Sequence, residues 1–215
     1  MFVLSEKASI ANHFLAELRD AKVQQDPLRF RHNLARLGEI LGYEISKSLP
    51  YHAEEVETVL GSATVQQLDS QPILITVLRA GMPFFEGFQR IYDRAWCGFI
   101  GAYRSPADEN YDFTIDLGYR AAPTLDGKAV ILADPMLATG KSFVEAIESL
   151  SDHGTPSHWH LAAAIAAPEG VAYLKRTLKV PYTLWVGAVD DHLNQKSYIV
   201  PGLGDAGDLA YGPKQ

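Results

Sequence analysis

Ala129-Val130-Ile131-Leu132-Ala133-Asp134-Pro135-Met136-Leu137-Ala138-Thr139-Gly140-Lys141-Ser142 reads as a strand, a loop and the start of a helix. Five apolar residues in a row mark a strand buried on both faces. Phe143, Ile147 and Leu150 then recur at helical spacing. The acid lands at the carboxyl end of the strand, where open parallel sheets bind their ligands. Free N–H groups and the positive end of the helix dipole make the start of the next helix an anion site, and Thr139 and Ser142 add hydroxyl donors. Asp134 can accept hydrogen bonds from alcohols while the loop from Pro135 to Ser142 cups a phosphate, a separation that suits a ribose 5-phosphate. The plain alternative is an ordinary capped turn. A P-loop is the sharper competitor, because Gly140-Lys141-Ser142 ends like one. It fails on spacing, since G-x-x-x-x-G-K-S needs glycine where this chain has Pro135.

Outward from this window the pattern repeats. Apolar runs at 73–78, 161–167 and 184–189 read as further buried strands, and 96–103 adds another. Helical patterns at 83–92, 142–150 and 169–178 separate them. Strands alternating with helices predict a doubly wound α/β fold around a mostly parallel sheet. Ahead of it, residues 5–19 and 26–46 read as amphipathic helices, the second opened by Asp26-Pro27, a cap followed by a favoured first helical residue. Residues 54–61 read as one short extended segment. Residues 104–128 are polar and turn-rich around Ser105-Pro106, then alternate weakly, which predicts a hairpin or flap. The stretch 190–212 is irregular and rich in Gly and Asp, and a segment that long in a compact domain is usually functional.

At 215 residues the chain has room for a single domain with N-terminal helices over residues 1–50. A net charge of −7 argues against nucleic acid as a partner, because phosphate backbones reward a basic face. The longest apolar stretch is far short of the ~20 residues that span a bilayer, so no membrane partner is expected. The single Cys97 rules out an intramolecular disulfide and fits a reducing compartment, with the cytoplasm as default.

Val77-Leu78-Arg79-Ala80-Gly81 and Tyr103-Arg104 place two arginines at strand ends. Guanidinium forks pair bidentately with phosphate oxygens, so the two could gather positive charge for a pyrophosphate in an acidic protein. Gly202-Leu203-Gly204-Asp205-Ala206-Gly207 satisfies G-x-G-x-x-G by letter. It lacks the βαβ context of a dinucleotide fingerprint. A ligand loop explains it better: its glycines let main-chain groups approach a flat ring, Pro201 stiffens the path and Asp205 anchors it. His158 and His160 would share one face of a strand and read as structural.

Together, Leu78-Arg79-Ala80-Gly81, Asp134-Pro135-Met136-Leu137-Ala138-Thr139-Gly140, Ala167-Pro168-Glu169-Gly170 and Tyr198-Ile199-Val200-Pro201-Gly202-Leu203-Gly204-Asp205 resemble the uracil phosphoribosyltransferase family, of the type I phosphoribosyltransferases. The resemblance covers about residues 73–212. It implies transfer of 5-phosphoribosyl from phosphoribosyl pyrophosphate to N1 of uracil, with Mg²⁺ carried mainly by the pyrophosphate. It implies that Asp134 to Ser142, namely Asp134, Pro135, Met136, Leu137, Ala138, Thr139, Gly140, Lys141 and Ser142, hold the ribose 5-phosphate. Arg79 and Arg104 serve the pyrophosphate. Tyr198, Ile199, Gly204, Asp205 and Ala206 form the uracil site, and Asp205 also reaches the donor. A homodimer or homotetramer and GTP as an effector belong to the same expectation. A ligand-binding regulator of feeble activity is the alternative from another class. The chain departs from the family pattern at Lys141, Met82-Pro83, His192 and Ser197, in or beside the loops that carry the chemistry.

Overall fold

The computed structural model describes residues 1–104 and 115–213, with side chains described outside 102–117. In chain order the elements are β1 (Phe2–Val3), α1 (Ile10–Arg19), α2 (Pro27–Ser46), β2 (Tyr51–Thr58), β3 (Gly61–Leu68), β4 (Ile73–Leu78), α3 (Gly81–Ile91), β5 (Cys97–Arg104), β6 (Ile115–Ala121), β7 (Ala129–Ala133) and β8 (Met136–Leu137). The second half continues with α4 (Lys141–Ser149), β9 (His158–Ala166), α5 (Pro168–Thr177), β10 (Tyr182–Val189), β11 (His192–Leu193), β12 (Ile199–Val200) and α6 (Ala206–Tyr211).

The main sheet runs β1-β10-β9-β7-β4-β5-β6, with β8 also on β9. Every pair in it is parallel except β5 with β6. After β4 the chain steps to β5 on one side and later returns to β7 on the other. The strand order therefore reverses between β4 and β7, which opens a crevice at their carboxyl ends. Side chains alternate across the sheet into two cores. Leu74, Ile131, Ala162 and Ala164 face α1, α2, α3 and α6 through Leu15, Leu34, Phe84, Phe88 and Ala210. Ile75, Val77, Val130, Leu132 and Leu161 face α4 and α5 through Phe143, Ile147 and Leu174. Helices on both faces are what doubly wound connectivity requires, and the expected fold class holds.

Local chemistry sets the helix starts. Asp26 accepts from the N–H groups of Leu28 (2.9 Å) and Arg29 (3.2 Å), with Pro27 as the first helical residue. The first long helix starts later than its periodicity suggests: Ser9 and Asn12 form a capping box at Ile10, and Leu4 to Glu6 is a separate single turn. Packing of α2 on α3 is backbone to backbone. A Cβ on Gly87 would lie 2.0 Å from the carbonyl oxygen of Ala35, so only glycine fits that crossing.

Two expectations need correction. The extended segment at 54–61 is part of a longer hairpin: β2 and β3 pair antiparallel from Tyr51 with Leu68 to Thr58 with Gly61. Nearly every residue of the two strands is exposed, and Val59 and Leu60 at the tip are 100% and 97% exposed. With no buried face, the hairpin has no apolar alternation to read. The stretch 190–212 is also more regular than expected, because β11 pairs with β12 and the short α6 follows. The hairpin expected at 104–128 is present in part, as β5 pairs with β6. Its residues 105–114 lie outside the described residues.

Candidate active site

Asp134, Arg79 and Arg104 sit at the carboxyl ends of β7, β4 and β5, three neighbouring strands. Their shared address follows from sheet order alone. The Arg104 side chain lies outside the described residues.

The loop after β7 is fixed by main-chain bonds to β9. The Asp134 N–H donates to the Ala162 carbonyl (3.1 Å), the Pro135 carbonyl accepts from Ala164 (3.0 Å) and Ile165 (3.1 Å), and the Leu137 carbonyl accepts from Ala167 (2.9 Å). Asp134 is 9% exposed, and its Oδ1 accepts from the Met136 N–H at 3.1 Å, which sets the carboxylate at the mouth of the loop. Gly140 caps α4 with φ 82°, a left-handed conformation that turns the chain into the helix without a side-chain cap. Thr139 Oγ1 accepts from the Lys141 N–H (3.4 Å). A helix start without its own capping side chain can receive an anion.

Arg79 leaves β4 and turns toward the C-terminal segment. Its Nη2 donates to Asp208 Oδ1 (3.2 Å) and to the Gly212 carbonyl (3.4 Å). Asp205 caps α6 by accepting from the Asp208 N–H at 3.0 Å. A Cβ on Gly207 would lie 3.2 Å from Asp205 Oδ1 and 3.8 Å from Arg79 Nη2. The glycine coil thus docks at the crevice, against the strand end that neighbours Asp134. Within it Ile199 and Ala206 are buried, whereas Tyr198 and Gly204 are exposed. Side chains of the first pair serve the core, so main-chain groups remain for a ligand.

Glu169, in the first turn of α5, accepts from the Leu193 N–H at 2.9 Å and ties β11 to the same end of the sheet. That N–H and the helix's own backbone hold its carboxyl below the usual range. Of the departures, Lys141 is the first residue of α4, Pro83 lies in the first turn of α3, and His192 is exposed. Ser197 carries φ 60° in the turn between β11 and β12, a conformation glycine takes more readily. His158 and His160 do share one face, with ring centroids 4.9 Å apart, near the start of β9. Burial pushes the Cys97 thiol up, as befits a core group. Sequence reasoning missed Asp208 as the partner of Arg79, and it missed Arg19 and Asp190, which grip the coil from behind. Asp190 could have been found, because it follows a buried strand just as Asp134 does; Arg19 carries no local signal.

Comparison with known proteins identifies the family. Residues 5–213 match the family described as uracil phosphoribosyltransferase. A uracil phosphoribosyltransferase of Porphyromonas gingivalis is 43% identical over 98% of this chain and 97% of its own length. One from Pyrococcus furiosus is 38% identical over 92% of this chain and 84% of its own. The solved structure of the AQ2163 protein from Aquifex aeolicus superposes with a TM-score of 0.85 at 34% identity, covering 96% of both chains. The chain belongs to the uracil phosphoribosyltransferase family.

Proposed function

We propose that this protein transfers 5-phosphoribosyl from phosphoribosyl pyrophosphate to N1 of uracil, releasing UMP and pyrophosphate, as a pyrimidine salvage enzyme. The observation that carries the reading is the docking of the glycine coil against Arg79, which brings a flat-ring loop and a phosphate loop to one crevice. The chain acts as one phosphoribosyltransferase domain, with residues 190–212 as the uracil loop.

In this reading Asp134 accepts hydrogen bonds from the ribose hydroxyls while Pro135 to Ser142 hold the 5-phosphate at the start of α4. The bond from the anomeric carbon to pyrophosphate breaks as the bond to N1 forms, and the sugar gains oxocarbenium character between them. Catalysis is then mainly charge placement: Arg79 and Arg104 take the charge growing on the leaving group. Arg79 must exchange Asp208 for pyrophosphate oxygens to do so. The N1 proton leaves to Asp205, whose Oδ1 is already committed to α6 and whose other oxygen is left for the base. Fixed main-chain donors and acceptors around Tyr198, Ile199, Gly204 and Ala206 suit uracil. Cytosine would leave mismatched, buried polar atoms.

Mg²⁺ enters with the donor, on its pyrophosphate oxygens, as part of the substrate. The chain's own contribution is Asp134 on the ribose hydroxyls, the 135–142 loop on the 5-phosphate, and Arg79 and Arg104 on the pyrophosphate. A homodimer or homotetramer is the assembly in this reading, and sedimentation checks it. No described helix is long and apolar enough to cross a membrane. A sole cysteine, Cys97, fits a reducing compartment, and the cytoplasm is the location we assign on that ground.

The deciding experiment mixes purified protein with uracil, phosphoribosyl pyrophosphate and Mg²⁺ and measures UMP. Turnover that disappears with a chelator and returns with Mg²⁺ supports the reading, and addition of GTP tests activation. Binding of uracil or UMP without turnover would instead favour a regulator.

A further inference from the structure

At the end of β10, Asp190 holds a carboxylate whose side chain is only 3% exposed. Arg19, the last residue of α1, meets it with both arms of its guanidinium: Nη1 donates to Oδ2 (2.8 Å) and Nη2 to Oδ1 (2.5 Å). The pair does not end there. Asp190 Oδ2 accepts from the Gly202 N–H (2.8 Å), and Arg19 Nη1 donates to the Gly202 carbonyl (3.0 Å). One ion pair, with its carboxylate buried and its guanidinium partly so, therefore binds both polar groups of a single glycine. Gly202 has φ 64°, and a Cβ there would lie 2.1 Å from the Ile199 carbonyl oxygen, so the turn admits no other residue without movement. Gln24, with its amide nitrogen turned to donate, reaches the Leu203 carbonyl (2.8 Å) and the Leu18 carbonyl (3.0 Å). Arg31 of α2 donates to the Ala210 carbonyl (2.7 Å).

A buried ion pair is poor value as a source of stability, because desolvating two charges offsets most of their attraction and apolar residues often serve as well. Its directional hydrogen bonds do something that apolar contacts cannot: they fix the orientation of a peptide unit. A ring recognised by main-chain groups needs those groups held within a few tenths of an ångström, which demands rigid support behind them. Gly202 and Leu203 lead directly into Gly204, Asp205 and Ala206.

We infer that Arg19 and Asp190 are positioning residues for the base site, an N-terminal clamp that sets the main-chain geometry of the 202–206 coil and hence affinity and selectivity for the pyrimidine. This rests on the reading of the coil as the uracil site. The clamp holds Gly202 and Leu203, which lead into the base loop, whereas Arg79 meets the chain further on, at Asp208 and Gly212, so the clamp acts on the base far more than on the donor.

The test compares wild type with Arg19→Lys, which keeps the charge but loses the fork that grips Asp190 and Gly202 together. The uracil KM should rise about tenfold or more while the donor KM stays within about twofold, and uracil should lose about tenfold of its preference over cytosine. A double variant, Arg19→Met with Asp190→Leu, removes the pair without stranding a buried charge. It should show the same split, with a modestly lower thermal midpoint because the Gly202 N–H and carbonyl lose their partners. Unchanged uracil KM in both variants overturns the clamp, and so do parallel rises for uracil and donor, or loss of stability with unchanged kinetics. If wild type makes no UMP, the function itself falls. Uracil affinity by calorimetry then judges the clamp alone: a selective loss in the variants upholds it, and equal binding or none by wild type overturns it.

Discussion

Asp134 shows how a single residue can carry chemistry without carrying the fold. Its backbone is bonded to β9, and its carboxylate accepts one N–H from Met136, a contact an asparagine oxygen would keep. Asp134→Asn should keep the fold and lose roughly 100- to 1,000-fold in kcat/KM, the scale seen when one preorganised polar contact to a reacting centre is removed. Turnover at the wild-type level would remove the residue from the mechanism. Arg104, at the end of β5, has a different signature. Arg104→Ala should raise the donor KM about tenfold or more and leave uracil largely unaffected, because its proposed partner is pyrophosphate. Equal losses for both substrates, measured by varying each in turn, would contradict that role. Both positions stand out in the sequence because each follows an apolar run that reads as a strand, and the structure places each at the carboxyl end of one. Asp190 carries the same local mark at the end of β10, but its pairing with Arg19 does not, since the two meet across 171 positions and no local pattern announces so distant a contact.

Elements were legible to the degree that they bury a face. β4, β7, α3 and α4 lie within two residues of where apolar periodicity puts them, because each contributes to one of the two cores. The β2–β3 hairpin is exposed on both sides and left no such trace, and β1, two residues long, was too short to read. Helix crossings depend on what the pattern omits. Gly87 sits on the buried side of α3, and its missing Cβ lets α2 approach to backbone contact. Gly87→Ala would put a carbon 2.0 Å from the Ala35 carbonyl and 2.6 Å from the Glu39 nitrogen, both rigid main-chain atoms. The helices must part, at a cost of about 1–3 kcal/mol or more. Denaturant unfolding would show a lower midpoint with an unchanged slope, and an unchanged midpoint would mean that the crossing has slack. Because α2 also holds α6 through Arg31, the variant should in addition weaken uracil more than donor.

Across the whole molecule the crevice end of the sheet carries the polar groups, while the opposite end of β9 and β10 hides a neutral histidine. His160 is 4% exposed, and its Nδ1 accepts from the Trp185 indole N–H at 3.1 Å, which leaves the ring proton on Nε2. Burial, with His158 beside it as a second repelling charge, lowers its pKa from 6.5 to about 4. Unfolded, the same ring takes a proton near 6.5. Between those values the unfolded chain binds more protons than the folded one, so the contribution of His160 is complete above pH 6.5 and is lost as pH falls toward 4. The loss is on the order of 3 kcal/mol at about 1.4 kcal/mol per pH unit. Glu17 adds a second stage: Arg29 and Asn33 hold its pKa near 2 instead of 4.5, so its share fades only below pH 4.5. Thermal melts from pH 8 to pH 3 should therefore run level, decline from about pH 6.5, and keep declining through the carboxylate range. His160→Gln keeps an acceptor for Trp185 and cannot titrate. Its melting curve should fall less steeply than wild type below pH 6.5, the remaining slope belonging to His158, whose pKa burial also lowers. A variant curve parallel to wild type between pH 6.5 and 4 would show that the acid sensitivity originates elsewhere than in His160.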